Sequence, residues 1–196
     1  TLEISSLVAG APQEELNATV NTQPVMLTAG VAAWRAYQAS GGIAPTILAG
    51  HSLGEYTALV AAEAISFGDA LQLVRLRAEA MQEAVPAGTG AMAAVLGLSD
   101  ELIIEACADS AQGEVVQAVN FNSPGQVVIA GDKAAVERAC EACKARGAKR
   151  AMLLPVSVPS HCELMRPAAA KLAEKLATIQ INTPIIPVLH NADVAS

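Results

Sequence analysis

A serine between two glycines is the first feature of the sequence that could do chemistry. In the stretch TILAGHSLGEY, the mostly apolar residues 46–49 run directly into Gly50, Ser52 and Gly54. G-x-S-x-G between a strand and a helix is typical of a nucleophile elbow, a turn so tight that the flanking side chains must be small. The N–H of Leu53 can then donate to an oxyanion at the helix start. The pattern predicts a nucleophilic Ser52; the alternative is a glycine-rich turn with a bystander serine.

A serine nucleophile needs a base, and the chain has three histidines. His51 adjoins Ser52, so we interpret it as structural or pocket-lining, and His190, on an apolar strand, as a core histidine. His161 lies in PVSVPSHCELMRP, where a strand passes through a proline-rich loop into a helix. Catalytic groups of α/β proteins gather on such loops. We predict His161 as the base, against the alternative of a surface histidine at a helix start. No intervening carboxylate has the setting of a triad acid, which favours a Ser–His dyad.

Arg77 is the second chemical signal, because its neighbours at helical spacing are all apolar. These neighbours are Leu73, Val74, Ala80 and Met81. An arginine on an apolar face is costly unless it meets an anion, and its guanidinium binds a carboxylate with two parallel hydrogen bonds. The anion is either a distant carboxylate of the fold or part of a ligand. Beside a Ser–His centre, the second option indicates transfer of an acyl group that ends in a free carboxylate.

The elements that must position these residues follow from apolar periodicity and from Gly and Pro breaks. We predict helices over 24–39 (capped by Thr22), 54–64, 69–83, 99–111, 132–146 and 161–177, and strands over 47–49, 91–97, 115–121, 126–130, 150–156 and 185–189. The order β-α-β-β-α-β from residue 91 is the ferredoxin-like pattern. The predicted fold is α/β: a hydrolase-like, mostly parallel sheet with flanking helices, over 1–88 and 158–196, and an inserted ferredoxin-like subdomain over 89–157.

Composition excludes several classes of function. The chain is 53% hydrophobic and 16% charged, which is typical of a globular core. A net charge of -7 and only 3% aromatic residues argue against nucleic acid as a partner. No apolar run approaches the roughly 20 residues that span a membrane. The C-x-x-C of Cys140 and Cys143 lies inside a predicted helix, so we interpret it as structural. We therefore expect no metal site and a cytoplasmic location.

Five segments together carry a family resemblance. They are GHSLGE from Gly50, LVRLRAEAMQEAVP around Arg77, GTGAMAAVLGL from Gly88, NFNSPGQVVIAG from Asn120 and PVSVPSHCELM from Pro155. In this order they resemble the malonyl-CoA:acyl carrier protein transacylases of bacterial fatty acid synthesis, over essentially the whole chain. GHSLGE alone is shared with polyketide-synthase acyltransferase domains, which remain an alternative.

The resemblance implies a ping-pong acyl transfer without a bound cofactor, in which malonyl-CoA is a substrate. Ser52, activated by His161, would attack the malonyl thioester, while the Leu53 N–H and a second donor hold the oxyanion. Arg77 would hold the free carboxylate of the malonyl group. The phosphopantetheine thiol of acyl carrier protein would then take the malonyl group from Ser52. We expect the protein to act as a monomer.

The resemblance also implies further contacts. Ser160 and Met81 would touch the acyl group, and Asn122 would contact CoA. A basic cluster on this acidic chain could dock the acidic carrier protein, the alternative being a solvated helix end. The cluster consists of Lys144, Arg146, Lys149 and Arg150.

Two parts of the family pattern are expected outside this sequence. A Gly-Gln-Gly segment that supplies the second oxyanion N–H would precede Thr1, and a glutamine that holds the histidine would follow Ser196. We therefore expect the chain to be cut at both ends and, alone, to be poorly active or unstable. Two rival functions stay open: an α/β-hydrolase-type serine esterase or thioesterase, and a catalytically silent carrier-binding module.

Overall fold

The computed structural model describes residues 4–156 and 158–195. Two compact units divide the chain: residues up to Glu79 together with those from Lys171 onward, and Ala80–Ala170. The predicted α/β class is confirmed. The predicted subdomain boundaries, at residues 88/89 and 157/158, stay a prediction.

The helices and strands follow one another along the chain in this order. They are α1 Ile4–Gly10, α2 Gln13–Asn17, α3 Thr19–Ala39, β1 Leu48–Ala49, α4 Gly54–Ala61, α5 Phe67–Ala84, β2 Gly90–Leu96, α6 Asp100–Ser110, β3 Val116–Ser123, β4 Gln126–Asp132, α7 Lys133–Ala145, β5 Arg150–Leu153, a 3-10 turn Glu163–Met165, α8 Arg166–Leu176 and β6 Val188–Leu189. Among the described residues, no helix is long and apolar enough to cross a lipid bilayer.

The first unit has a short parallel pair of strands packed with helices. β1 pairs with β6 in the register Leu48–Val188 and Ala49–Leu189. Leu27 of α3 and Leu73 of α5 are fully buried in one apolar cluster, to which α4 contributes partly buried side chains. Burying a leucine stabilises a fold by about 1.5–3 kcal/mol, so these contacts fix α5, and with it Arg77, against α3.

The second unit is a four-stranded antiparallel sheet in the order β3-β4-β2-β5. Together with α6 and α7 this is a split β-α-β arrangement. Alternate residues of a strand face opposite sides of a sheet. Ala93 and Val95 of β2 pack in the cluster that includes α6 and α7 residues, whereas Met92 packs with Val128 and Cys162. The chain around residue 162 therefore covers the sheet face opposite the helices.

Two helix starts differ by five residues from those predicted. α3 begins at Thr19 and includes Pro24, so Thr22 is not its cap; the Thr22 hydroxyl donates to the carbonyls of Leu16 and Ala18 inside the helical region. Proline disfavours a helix interior, but here Pro24 is itself buried, and tertiary packing offsets that cost. The helix expected from His161 begins instead at Arg166, after the 3-10 turn.

Candidate active site

The turn around Ser52 has the strand–turn–helix form expected from the sequence. It leaves β1 at Gly50 and enters α4 at Gly54, and Ser52 has the left-handed φ of 52°. A Cβ on Gly50 would lie 2.1 Å from the carbonyl carbon of Gly54 and 2.4 Å from the nitrogen of Glu55. Only glycine fits there. Crowding does not explain Gly54, where an added Cβ would meet open space, so that part of the small-residue expectation is wrong.

Leu53 is the helix N-cap, and its backbone is already in the right-handed helical region. The next N–H groups are used within the turn: Gly54 donates to the His51 carbonyl at 2.9 Å and Glu55 to the Ser52 carbonyl at 3.3 Å. In the part of the chain that is described, the Leu53 N–H has no hydrogen-bond acceptor. This donor is therefore available for an oxyanion, the role predicted for it.

Arg77 lies directly on the candidate nucleophile. Its Nη2 donates to Ser52 Oγ at 2.9 Å and its Nη1 to Gln23 Oε1 at 2.7 Å. Gln23 is only 4% exposed, and its Nε2 donates to Thr19 Oγ1 at 2.8 Å. That second bond turns the Gln23 carbonyl oxygen toward the guanidinium. Gln23 was not predicted from the sequence, although its four-residue spacing from Leu27 could have marked it as buried.

Arg77 is half-buried, and its hydrogen-bond partners are neutral. Burial lowers the pKa of Arg77, partly offset by Tyr56, while burial raises the pKa of Tyr56 and Arg77 opposes that shift. Both hydrogen-bond partners, Gln23 and Ser52, are uncharged. Within residues 4–156 and 158–195, no carboxylate is in ion-pair contact with Arg77. A half-buried cation without a protein anion is costly, so the arrangement favours an anionic ligand over a structural ion pair.

A second polar network links the end of β6 to the same turn. Asn191 Oδ1 accepts the Ser52 N–H at 2.9 Å. The Asn191 N–H donates to Glu55 Oε2 at 2.9 Å, and His190 Nδ1 lies 2.8 Å from Glu55 Oε1. The hydrogen bond to Glu55 raises the pKa of His190. The interpretation of His190 as a core histidine is wrong: its side chain is 48% exposed and ion-paired.

Ser160 and His161 lie in the second unit, on a segment held by packing. Pro159 is fully buried against Gly90, where a Cβ would come within 2.5 Å of the proline ring. The Cys162 Sγ donates to the Pro159 carbonyl at 3.1 Å, and burial raises the pKa of this thiol, which disfavours a nucleophilic thiolate. His161 is exposed and has a φ of 68°.

The other two predicted contact residues also belong to the second unit. Met81 is 6% exposed and packs in one apolar cluster with Val158 and Met165, on either side of His161 in the sequence. Asn122 is exposed near the end of β3, just before the turn at Pro124. Hydrogen bonds thus join Ser52 to Arg77 in the first unit, and packing joins Met81 to the histidine segment in the second.

The cysteines form no reactive centre. Cys107, Cys140 and Cys143 are free and buried between helices of the second unit, and burial raises the pKa of Cys107 to about 12 and of Cys140 to about 11. Thiols with such pKa values are unreactive near neutral pH. The described residues contain no cluster of three or more His, Cys, Asp or Glu side chains that could hold a metal ion.

A strand, a tight turn with a serine at positive φ, and a helix make this chain an α/β protein with an elbow at Ser52. A family model described as the acyl transferase domain matches residues 1–194. The chain belongs to the acyl transferase domain family.

Its relatives include the malonyl CoA-acyl carrier protein transacylase of Escherichia coli (strain K12), 62% identical over 192 residues that make up 98% of this chain and 62% of that relative. A solved acyl carrier protein S-malonyltransferase from Vibrio cholerae is 61% identical, with a TM-score of 0.94 over 98% of this chain and 63% of that one. The family resemblance noted in the sequence is confirmed. The chain spans about three-fifths of the length of the curated relatives it matches.

A third neighbour is a malonyl-transacylase solved in complex with a type II polyketide synthase acyl-carrier protein. It is 59% identical, with a TM-score of 0.96 over 98% of this chain and 62% of that chain.

Proposed function

We propose that the protein transfers a malonyl group from malonyl-CoA to the phosphopantetheine thiol of an acyl carrier protein, through a malonyl ester on Ser52. One observation supports this most directly: Arg77 Nη2 lies 2.9 Å from Ser52 Oγ, and its hydrogen-bond partners are neutral. A cation held at a nucleophile suits an acyl group that ends in a carboxylate. The names of the relatives agree with this substrate.

In the first half-reaction, Ser52 Oγ attacks the thioester carbonyl and its proton passes to His161. The oxyanion accepts a hydrogen bond from the Leu53 N–H and from a second donor. CoA leaves as a thiol, taking the proton, and malonyl stays on Ser52 as an oxyester. Arg77 exchanges its bond to Ser52 Oγ for the malonyl carboxylate, which can accept both guanidinium N–H groups at once.

In the second half-reaction, the carrier thiol gives its proton to His161 and its sulfur attacks the ester carbonyl. The acyl bond to Ser52 Oγ then breaks, and His161 returns the proton to Ser52 Oγ. Ser160 and Met81 contact the acyl group in this proposal, and Asn122 contacts CoA. The burial of Met81 against Val158 and Met165 supports a role that includes holding the histidine segment in place.

Mass spectrometry of the protein mixed with malonyl-CoA tests the proposal. We expect one malonyl group on Ser52 and none after Ser52→Ala. Arg77→Ala should lower kcat/KM for malonyl transfer roughly 10²-fold or more, since truncating one partner of a buried charged contact costs about 2–5 kcal/mol. Arg75→Ala is the matched control, because Arg75 lies on the same helix but is exposed and paired with Glu79 at 2.9 Å. No mass gain in the wild type would refute the proposal.

The same variants separate the rival functions. An esterase or thioesterase would release malonate into water at a rate that Arg77→Ala leaves unchanged. A silent carrier-binding module would bind the carrier protein without any acylation of Ser52. A second candidate function is delivery of malonyl to a polyketide-synthase carrier protein. It is supported by the neighbour that was solved with such a carrier protein. Rates with the two kinds of carrier protein distinguish these destinations.

The basic cluster at the end of α7 is the proposed carrier dock. Ion pairs use two of its cations: Lys144 lies 2.8 Å from Glu141, and Arg146 pairs with Asp109. Arg150 is exposed on β5, so it and Lys149 supply the charge available to a carrier. Lys149→Glu with Arg150→Glu should raise the KM for carrier protein several-fold and leave that for malonyl-CoA unchanged. An unchanged carrier KM would favour the solvated helix end.

We also propose that the protein is cytoplasmic and monomeric. The four buried, free cysteines support a reducing compartment. Light scattering of the purified protein tests the monomer, and a mass of two or more chains would overturn it.

A further inference from the structure

We infer that Asn191 and Glu55 are positioning residues that hold the Ser52 turn in its reactive shape. Together with His190 they form what we call the elbow clamp, and the catalytic part of this inference rests on the proposed function. Glu55 is the last residue of GHSLGE, and the acyl-transfer steps above assign it no role. Its carboxylate contacts His190 and Asn191, just after β6.

The Ser52 N–H is held by a side chain and not by the strand ladder. β1 and β6 are paired as far as Ala49 and Leu189, after which β1 leaves the ladder at Gly50. Among the described residues, the ladder pairs no residue of the turn beyond this point. The Asn191 side chain replaces it, and its Oδ1 accepts the Ser52 N–H at 2.9 Å. This bond holds the peptide that precedes a residue whose φ of 52° is unfavourable for a side chain with a Cβ.

Asn191 is itself held in place by Glu55. Its backbone N–H donates to Glu55 Oε2 at 2.9 Å, and His190 Nδ1 contacts Glu55 Oε1 at 2.8 Å. Glu55 lies in the first turn of α4. The end of β6 therefore holds the chain at residue 52 and again at residue 55.

Leu53 lies between these two points of attachment. Leu53 supplies the proposed oxyanion N–H, and the direction of that bond depends on the backbone angles of Ser52. Pinning residues 52 and 55 limits rotation of the peptide between Ser52 and Leu53. A misplacement of about 1 Å at a reacting centre can cost on the order of 10²-fold in rate. The elbow clamp acts on rate through geometry, without touching the substrate.

Hydrogen exchange of the Ser52 amide, followed by NMR, tests the clamp without any reaction. Asn191→Ala should speed this exchange by roughly tenfold, the effect of one lost hydrogen bond. Asn191→Asp keeps an acceptor oxygen and should retain slow exchange. Asn182→Ala, which removes another exposed amide from the same unit, is the control. Unchanged Ser52 exchange in a folded Asn191→Ala protein overturns the inference.

Kinetics supply the readout that a merely structural role would not move. Asn191→Ala should lower kcat for malonyl transfer on the order of 10²-fold and leave the KM for malonyl-CoA unchanged. His190→Asn places an amide N–H where Nδ1 stood and should keep wild-type kcat, whereas His190→Leu should lower it. Equal kcat for these two His190 variants would contradict the clamp. This comparison holds even if Asn191→Ala does not fold.

Labelling of Ser52 by a fluorophosphonate separates this inference from the proposed function. A wild-type protein that takes the fluorophosphonate but no malonyl group overturns the malonyl proposal only. In that case the labelling rates of the same variants, together with amide exchange, decide on the clamp. Equal labelling rates and equal exchange across the wild type, Asn191→Ala and Asn191→Asp overturn it.

Discussion

The segments that hold the two proposed catalytic residues reach a similar backbone geometry by different means. Ser52 has a φ of 52° and His161 a φ of 68°, both in the left-handed region that costs non-glycine residues free energy. The serine turn, residues 50–55, is tied by polar groups on α5 and on the chain just after β6. The histidine segment, residues 158–165, is held mainly by buried apolar side chains.

The difference follows from what each residue must do. A nucleophile beside an oxyanion donor needs backbone N–H groups aimed with accuracy, and hydrogen bonds are directional. A general base needs a fixed backbone and a ring that can contact two different partners in turn. Non-directional packing can fix the backbone. The geometry of the serine turn should therefore be sensitive to the loss of single polar atoms. That of the histidine segment should be sensitive to the loss of side-chain volume.

Gly50→Ala should produce the largest effect and break the serine turn alone. A Cβ 2.1 Å from a backbone carbon cannot be accommodated by a side-chain rotation, so we expect a loss of at least about 4 kcal/mol in the free energy of unfolding. Gly54→Ala is the matched change: it meets open space in the first turn of α4 and should gain about 0.5–1 kcal/mol from helix propensity. Urea denaturation measures both. Equal effects of the two changes would show that Gly50 is not crowded.

Met165→Ala tests whether the histidine segment depends on volume. Met165 is 9% exposed in the cluster with Met81 and Val158, so its truncation should cost about 2–3 kcal/mol of unfolding free energy. The exposed Met152 is the control, and Met152→Ala should change stability by less than about 0.5 kcal/mol. Denaturation curves check the pair. A cost below that of the control would contradict packing as the main support of this segment.

The smallest predicted effect is the pH dependence of the elbow clamp. Glu55 raises the folded-state pKa of His190 above its ordinary value of about 6.5, so the pair adds stability that is fully present below about pH 6.5. This stability is lost as the pH rises through the raised pKa. Because the His190 side chain is half exposed, solvent screening keeps the contribution under about 1 kcal/mol.

His190→Asn removes the titrating group and keeps a donor, so it isolates this contribution. The difference in unfolding free energy between wild type and variant, measured with urea from pH 5 to 9, should be largest at the acid end and vanish at the alkaline end. A difference that grows toward alkaline pH would reverse the sign and refute the assignment to the His190–Glu55 pair.

Local patterns sufficed for some parts of the site. Gly50 and Ser52 could be interpreted because the turn is built from neighbours in sequence, and Arg77 because its helix face is apolar. Gln23 and Asn191 were missed because their roles depend on contacts with residues far away in the chain, which no local period encodes. The start of α8 was misplaced for a related reason: the packing of Pro159 and Cys162 keeps the chain out of a helix until Arg166.

Because β1 and β6 pair in a fixed register, the length of the connection between α8 and β6 matters more than its composition. The chain from α8 to Val188 is mostly exposed, and such segments ordinarily accept insertions and deletions. Here a deletion of one residue before Val188 would bring Ala192 to the place of Asn191 and turn alternate side chains to the other face of the strand. The segment 177–187 therefore serves as a spacer whose number of residues is fixed by the pairing of β1 with β6.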